Sequence, residues 1–312
     1  MILSAGLSPA WQHTLVFDTL RVGQVNRARE AHWCASGKVI NSARAVRRLA
    51  VHDGGALQGL ALTALGGSTG DATRAALAAE GLDAAIVRTQ AATRVCTTVI
   101  GRAEGSVTEL VEEAEALTPD ELGAFRARFR EEAASAQAVV LTGSLPTGTP
   151  PEFFRTLIEG VTAPVVFDIR GPELLAALPL KPFLVKPNRE ELARTVGHPI
   201  DGETALRAAM HEVARQGAAW VVVSQGGDAV WALGAGRFYR IRPPAVETVN
   251  PIGSGDCLAA GIAYGTAQGL PPLEAICLGI AAAADNVASP LPGHIDPASV
   301  QRRRALITLE TF

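Results

Sequence analysis

Short apolar runs ended by polar or glycine turns recur along the chain, with stretches of helical spacing between them. Beyond Pro119 the rhythm is regular. Asp120 to Ala136 precedes Ala138-Val139-Val140-Leu141, and Pro151 to Glu159 precedes Val165-Val166-Phe167-Asp168. Leu174 to Leu178 precedes Phe183-Leu184-Val185, and Thr204 to Gln216 precedes Trp220-Val221-Val222-Val223. Strands buried on both faces read as such continuous runs. Their alternation with helices predicts a parallel sheet covered by helices on both sides, with sites at the strands' C-terminal ends. Ile2 to Leu7 reads as another buried strand, and Leu60 to Gly67 as a strand entering a glycine turn. Asp71 to Gly81 and the stretch opened by Ser36-Gly37-Lys38 read as helices. Trp11 to Trp33 instead roughly alternates apolar and polar residues, which predicts strands with one exposed face, and Ile86-Val87-Arg88 and Arg94 to Gly101, rich in β-branched residues, also read as strands. Cys257 to Ser289 is small and apolar, as closely packed helices require.

Composition narrows the class. Of 312 residues, 48% are hydrophobic and 19% charged, which fits a folded enzyme with a buried sheet rather than a disordered chain. A formal net charge of −3 argues against a nucleic-acid binder, and Arg302-Arg303-Arg304 reads as a solvated helix face. Cys34, Cys96, Cys257 and Cys277 lack metal-type spacing and read as free thiols. The first residues carry no basic leader, and no apolar run is long enough to span a membrane, so a cytoplasmic protein is expected.

The chemistry concentrates in Val249-Asn250-Pro251-Ile252-Gly253-Ser254-Gly255-Asp256, followed at once by a small-residue helix. Glycines around a serine let successive backbone N–H groups point into one concavity, and the following helix adds its positive end, which makes an anion site. Asp256 sits in the first turn beside that site. As a plain N-cap it would be unremarkable; as a base it would take the proton of a hydroxyl attacking a phosphoryl group held by the loop.

Asn250-Pro251-Ile252-Gly253-Ser254-Gly255-Asp256 resembles the C-terminal signature of the PfkB (ribokinase-like) carbohydrate kinases, and the resemblance runs nearly end to end. It is nearest to the branch of 1-phosphofructokinase and tagatose-6-phosphate kinase. It implies one α/β domain over residues 1–312, a three-layer α/β/α body with a mostly parallel sheet. A small β-sheet lid would come from insertions at about 11–35 and 88–110, often with dimerisation through that lid. Asp256 is then the catalytic base, with Gly253, Ser254 and Gly255 as the anion hole.

Other segments carry the same resemblance. Lys186-Pro187-Asn188-Arg189-Glu190-Glu191 is similar to the family's Asn-x-x-Glu motif, which implies Mg2+ held through water by Asn188 and Glu191 and nucleotide phosphate near Lys186. A capping box gives the same letters. Ser224-Gln225-Gly226-Gly227 resembles the turn bordering ATP, and Asn286 is implied near the adenine. On the acceptor side Gly37, Lys38 and Asn41 resemble the sugar-site signature, and Arg94 resembles the lid arginine that binds the sugar's phosphate, with Arg27 a second candidate. Gly143-Ser144-Leu145-Pro146-Thr147-Gly148 is similar to the turn beside the acceptor.

The acceptor half also departs from the family. Gln12 stands where a sugar-gripping Asp is usual, Ser36 and Val39 replace glycines, and Cys96 and Thr98 replace a lid Asn and Lys. The expectation is an ATP- and Mg2+-dependent kinase of a sugar-phosphate hydroxyl with altered acceptor specificity. The alternatives are a kinase of an unphosphorylated sugar or nucleoside, or a binding protein that has lost catalysis. No Gly-x-Gly-x-x-Gly follows the first strand and no Walker Gly-Lys-Ser/Thr loop is present, which disfavours dehydrogenases and Walker ATPases.

Overall fold

The computed structural model describes residues 1–312. The chain opens with β1 (Ile2–Gly6), leaves the body as β2 (Ala10–Phe17) and β3 (Glu30–Ser36), and returns through α1 (Lys38–His52). β4 (Gly59–Gly66), α2 (Gly67–Ala79) and β5 (Ala84–Thr89) belong to the body, and a second excursion supplies β6 (Val95–Gly101) and β7 (Ser106–Val111). Then come α3 (Pro119–Ala133), β8 (Ala138–Thr142), α4 (Phe153–Ile158), β9 (Val165–Asp168), α5 (Gly171–Ala177), β10 (Leu184–Val185) and α6 (Arg189–Val196). The chain closes with α7 (Gly202–Arg215), β11 (Trp220–Val223), β12 (Val230–Gly234), β13 (Arg237–Arg242), α8 (Ser254–Ala267), α9 (Pro272–Asn286), α10 (Pro297–Arg304) and β14 (Thr308–Thr311).

Ten strands form one sheet in the order β14-β13-β12-β11-β10-β9-β8-β1-β4-β5, parallel from β5 to β11 and antiparallel beyond. The apolar runs divide by alternate residues. Leu3, Val139, Leu141 and Val223 join one core with Phe125, Phe154 and Met210. Ile2, Ala138, Val140 and Val222 join the other with Val46, Leu258 and Ile280. Both sheet faces are thus covered, by α3 to α7 on one side and by α1, α8, α9 and α10 on the other. Strand order reverses at β1, which lies between β4 and β8, and such a switch point leaves a crevice at the C-terminal edge.

The excursions pair into a separate sheet, β3-β2-β6-β7, whose inner β2–β6 pair is parallel. This small sheet is the lid expected from the alternating segments, with one boundary corrected. Residues from Arg88 were expected in the lid, yet Arg88 and Thr89 end β5, which pairs in register with β4 in the body. The lid resumes only at Val95, after a turn fixed by Thr93, whose amide donates to Gly66 O (2.8 Å).

The basic run near the C-terminus is more than a solvated face. Arg303 donates to the largely buried Asp285 (3.0 Å) and Arg304 to Glu274 (3.1 Å), fastening α10 to α9. Between α8 and α9 the small residues permit close approach. A Cβ on Gly279 would stand 2.5 Å from Leu258 O and 2.8 Å from Ile262 Cγ1. Gly279→Ala is therefore expected to cost about 1–3 kcal/mol by overpacking. It should lower the urea midpoint at unchanged m-value, and an unaltered midpoint would show that the two helices separate freely.

Candidate active site

Two cavities open along the C-terminal edge of the sheet and meet at one wall. The first, of about 520 Å³, is framed by the 243–248 segment, Val230, and the α8–α9 side chains Leu258, Ile280 and Ala283. The second, of about 540 Å³, lies under the lid and is lined by polar and charged groups, among them Gln12, Lys38, Asn41, Arg94, Asp168 and Asp256. Ser224, Gly226, Ser254 and Gly255 line both, whereas Asp256 lines only the polar one. An apolar slot of this size suits a flat ligand, and the shared wall is where two ligands would touch.

That wall is the start of α8. Gly253 adopts φ 83°, and a Cβ there would meet Pro292 at 2.8 Å, so the turn requires glycine. The amides of Gly253, Gly255 and Asp256 donate to no acceptor in the chain, leaving three free donors at the positive end of a 14-residue helix. The buried Asn250 holds the approach, accepting from the Ile252 amide (3.0 Å) and donating to Pro290 O (2.9 Å). Lys186 Nζ lies 3.4 Å from where a Gly255 Cβ would be, placing a cation beside the loop.

Beneath the loop lies a compact set of charges. Asp168, at the end of β9 and fully buried, receives Lys186 Nζ at 3.0 Å on Oδ1 and Lys38 Nζ at 3.3 Å on Oδ2, and accepts from Thr142 Oγ1 (3.2 Å). Burial opposes its ionisation, but the two lysines outweigh it and hold the carboxyl below its usual range. Lys38 is raised in turn: burial pulls it down, and Asp168, Glu191 and Asp256 pull it further up. Asp256 goes the other way. Burial first, and then the Asp168 carboxylate, push its pKa up to about 6, against the pull of Lys38, the Asn41 hydrogen bond and Lys186. A carboxyl poised near neutrality at the junction of the cavities is suited to proton transfer.

The expected residues are mostly brought together here: Asp256, Gly253, Ser254, Gly255, Lys186, Asn188, Ser224, Gly226, Gln12, Gly37, Lys38, Asn41, Arg94 and Glu191 all line the polar cavity. Two do not join them. Arg27 sits exposed between β2 and β3 and is not in the cavity wall. Asn286 is fully buried behind the apolar cavity: its amide nitrogen donates to Ile252 O (2.9 Å) and its oxygen accepts from the Gly293 amide (2.7 Å). It braces the loop and lines neither cavity, because its neighbours Ala283, Ala284 and Val287 present the apolar wall instead.

Four of those in the wall are differently employed. Asn188 and Glu191 form a full capping box, with Asn188 Oδ1 accepting from the Glu191 amide (2.8 Å) and Glu191 Oε2 from the Asn188 amide (2.9 Å). Glu191 Oε1 remains, 3.6 Å from both Lys38 and Arg170. Arg94 donates to Ser8 O (3.1 Å), Pro9 O (3.3 Å) and Glu112 O (3.0 Å), so much of its fork is committed to the chain. Asn41, in the cavity wall, donates to Asp256 Oδ2 (2.8 Å). Asp168 and Arg170 were not singled out from the sequence; the available signal was an Asp ending an apolar strand run, Val165-Val166-Phe167-Asp168.

No group of three or more His, Cys, Asp or Glu side chains converges to hold a metal directly. The donor set fits Mg2+ only as an ion carried by phosphate and water with carboxylates behind it, as this ion prefers.

Comparison with known proteins agrees with this geometry. A possible 1-phosphofructokinase of Thermotoga maritima superposes with a TM-score of 0.90 at 20% identity, covering 100% of this chain and 99% of the other. Phosphofructokinase-2 of Escherichia coli, in complex with substrates and products, superposes at 0.87 with 27% identity and 98% of each chain covered. The tetrameric inhibited form of the same enzyme gives 0.87 at 26%, again with 98% of each covered. The body and lid are thus those of ribokinase-like proteins. The pattern of the pfkB family carbohydrate kinases matches residues 13–298, and the chain accordingly belongs to that family of phosphotransferases acting on a hydroxyl group.

Proposed function

We propose that this protein transfers the terminal phosphoryl group of ATP to a hydroxyl of a sugar or sugar phosphate, with Asp256 as base. The observation that carries this reading is the shared wall: a largely apolar cavity and a polar cavity meet at free amides, and the raised carboxyl faces only the polar side. The adenosine end of ATP would occupy the slot and its transferring phosphate the amides of Gly253, Gly255 and Asp256. Lys186 would neutralise the phosphates, and Asp256 would take the proton of the attacking hydroxyl as the P–O bond forms. Mg2+ would sit among the phosphates with Glu191 Oε1 and Asn188 behind its waters, supplying charge neutralisation. Lys38 holds Asp168 and Glu191 in place at the mouth of this site.

The acceptor end supports altered specificity. Gln12 is buried and its Nε2 donates to Thr98 Oγ1 (2.8 Å), which leaves one N–H and, as its one acceptor, the carbonyl oxygen for substrate. A carboxylate there would accept from two hydroxyls. Hydrogen bonds to charged groups contribute about 1.5–3 kcal/mol against about 0.5–1.5 for neutral ones. Fructose 1-phosphate and tagatose 6-phosphate should therefore bind about tenfold or more weaker than the true acceptor. With Arg94 largely committed to backbone carbonyls, an unphosphorylated acceptor is the second reading. ADP release over a panel of sugars, sugar phosphates and nucleosides tests both. A kcat/KM at or above about 10⁵ M⁻¹s⁻¹ for either sugar phosphate would show that Gln12 does not redirect specificity.

Two copies would associate through the lid. Its outer face carries stacked Trp11, Trp33 and His13, with Trp33 half exposed, and its β3 and β7 edges are unpaired. Sedimentation giving only monomer at assay concentrations would overturn this.

Asp256→Asn is expected to fold, bind nucleotide and lose about 10²–10⁴ in kcat. Because the base works ionised, wild-type kcat/KM should fall as pH drops through about 6. Near-native turnover in the variant, or a flat wild-type profile from pH 7 to 5, would remove Asp256 from this role.

A further inference from the structure

Arg44 lies in α1 three residues after Asn41, is 2% exposed, and lines neither cavity. All five of its N–H groups are used. Nε and Nη2 donate to Glu80 (2.6 and 3.0 Å), Nη2 also to Ala35 O (2.6 Å), and Nη1 to Pro292 O (3.2 Å) and Asn41 Oδ1 (3.2 Å). Asn41 then donates from Nδ2 to Asp256 Oδ2. We propose that Arg44 is a positioning residue for phosphoryl transfer, fixing the Asn41 amide so that it donates to one oxygen of Asp256 and leaves the other for the acceptor's proton. This rests on the kinase reading of Asp256 given above.

The argument turns on what each group can do. An amide can turn over, exchanging oxygen for nitrogen. Ser36 Oγ also meets Asn41 Oδ1 (3.1 Å), but a hydroxyl both donates and accepts, so it would satisfy either orientation. A guanidinium only donates. With Nη1 facing Asn41, nitrogen there would leave two donors opposed and would set the amide oxygen against a carboxylate oxygen. Arg44 therefore settles the orientation that Ser36 leaves open. Glu80 and the two carbonyls hold the guanidinium in turn, which is what a buried cation needs. The remaining charged groups acting on Asp256 are Asp168 from β9, Lys38 from α1 and Lys186 beyond β10; His294 and Arg48 lie on the Arg44 side.

With Oδ2 occupied by a donor, Oδ1 is the oxygen free to receive the hydroxyl's proton, and the O–H bond breaks toward it. A freely turning amide would spend part of its time repelling the base and would misplace that oxygen. The loss would appear in the chemical step and not in the affinity for either substrate.

The test compares Arg44→Lys and Glu80→Gln with Asn41→Ala and the Asn41→Ala/Arg44→Lys double variant, using the best acceptor of the panel and ATP. Arg44→Lys is expected to lower kcat about 10–100-fold with both KM values within about threefold. Glu80→Gln, which leaves every atom touching Asp256 in place, should lower kcat about two- to tenfold. In the Asn41→Ala background Arg44→Lys should cost little more, since the residue acts through Asn41. If Arg44→Lys fails to fold, Glu80→Gln carries the test alone. Unchanged kcat in the folded variants, losses that add fully to Asn41→Ala, or losses confined to KM would overturn the positioning role while the kinase reading stands. Wild-type protein that phosphorylates no acceptor overturns both.

Discussion

The site depends on neutralising two buried carboxylates at the C-terminal edge of the sheet. Asp168 and Asp256 are both buried in the cavity wall, and burial alone would make each resist ionisation. The lysines are shared unequally. Lys186 and Lys38 both touch Asp168, so it stays charged, and its charge then raises Asp256. One carboxylate is a fixed counter-ion and the other is left near the point of proton exchange. The same division holds Lys186 beside the Gly253-Ser254-Gly255 turn, so the carboxylate that raises Asp256 also orders the cation next to the free amides.

The fold supplies this arrangement from separate parts of the chain. Asp168 ends β9, Lys186 follows β10, Lys38 opens α1 and Asp256 lies in the first turn of α8. All four converge beside the switch in strand order, where parallel strands end and helices begin. The tight α8–α9 contact matters here as well. Asn286 at the end of α9 grips Ile252 and Gly293, so helix packing is transmitted to the loop that presents the free amides.

Much of this was legible in the sequence, and the unread part has a common cause. Continuous apolar runs marked the parallel strands, alternation marked half-exposed strands of the small sheet, and Gly253-Ser254-Gly255-Asp256 marked the turn whose amides are free, because each signal is local. Arg88 and Thr89 were placed in the lid by resemblance, and their pairing with Leu65 and Gly66 at the edge of the body sheet is a contact that no local signal displays. Asn188 and Glu191 were read toward magnesium, and the structure shows the capping box that the same two letters encode. Asp168 and Arg44 went unread because their partners lie far away in the chain, at Lys38, Lys186 and Glu80. Asn286 was placed by resemblance, and its direction is set by Gly293, which no helical spacing displays.

Arg94 has a consequence for how the lid is attached. Three threads of chain pass between body and lid near it: Ser8-Pro9 leading into β2, Arg94 itself leading into β6, and Glu112 leaving β7. One guanidinium ties the carbonyls of the first and third while sitting on the second. The lid is therefore gathered at a single pin, like the leaf of a hinge, and its strands cannot part from the body one at a time. The remaining thread, Ser36-Gly37, runs straight into Lys38 and the charged cluster. Any swing of that leaf about Arg94 would pull on the helix that begins at Lys38, so the posture of the lid and the electrostatics around Asp256 are mechanically one variable.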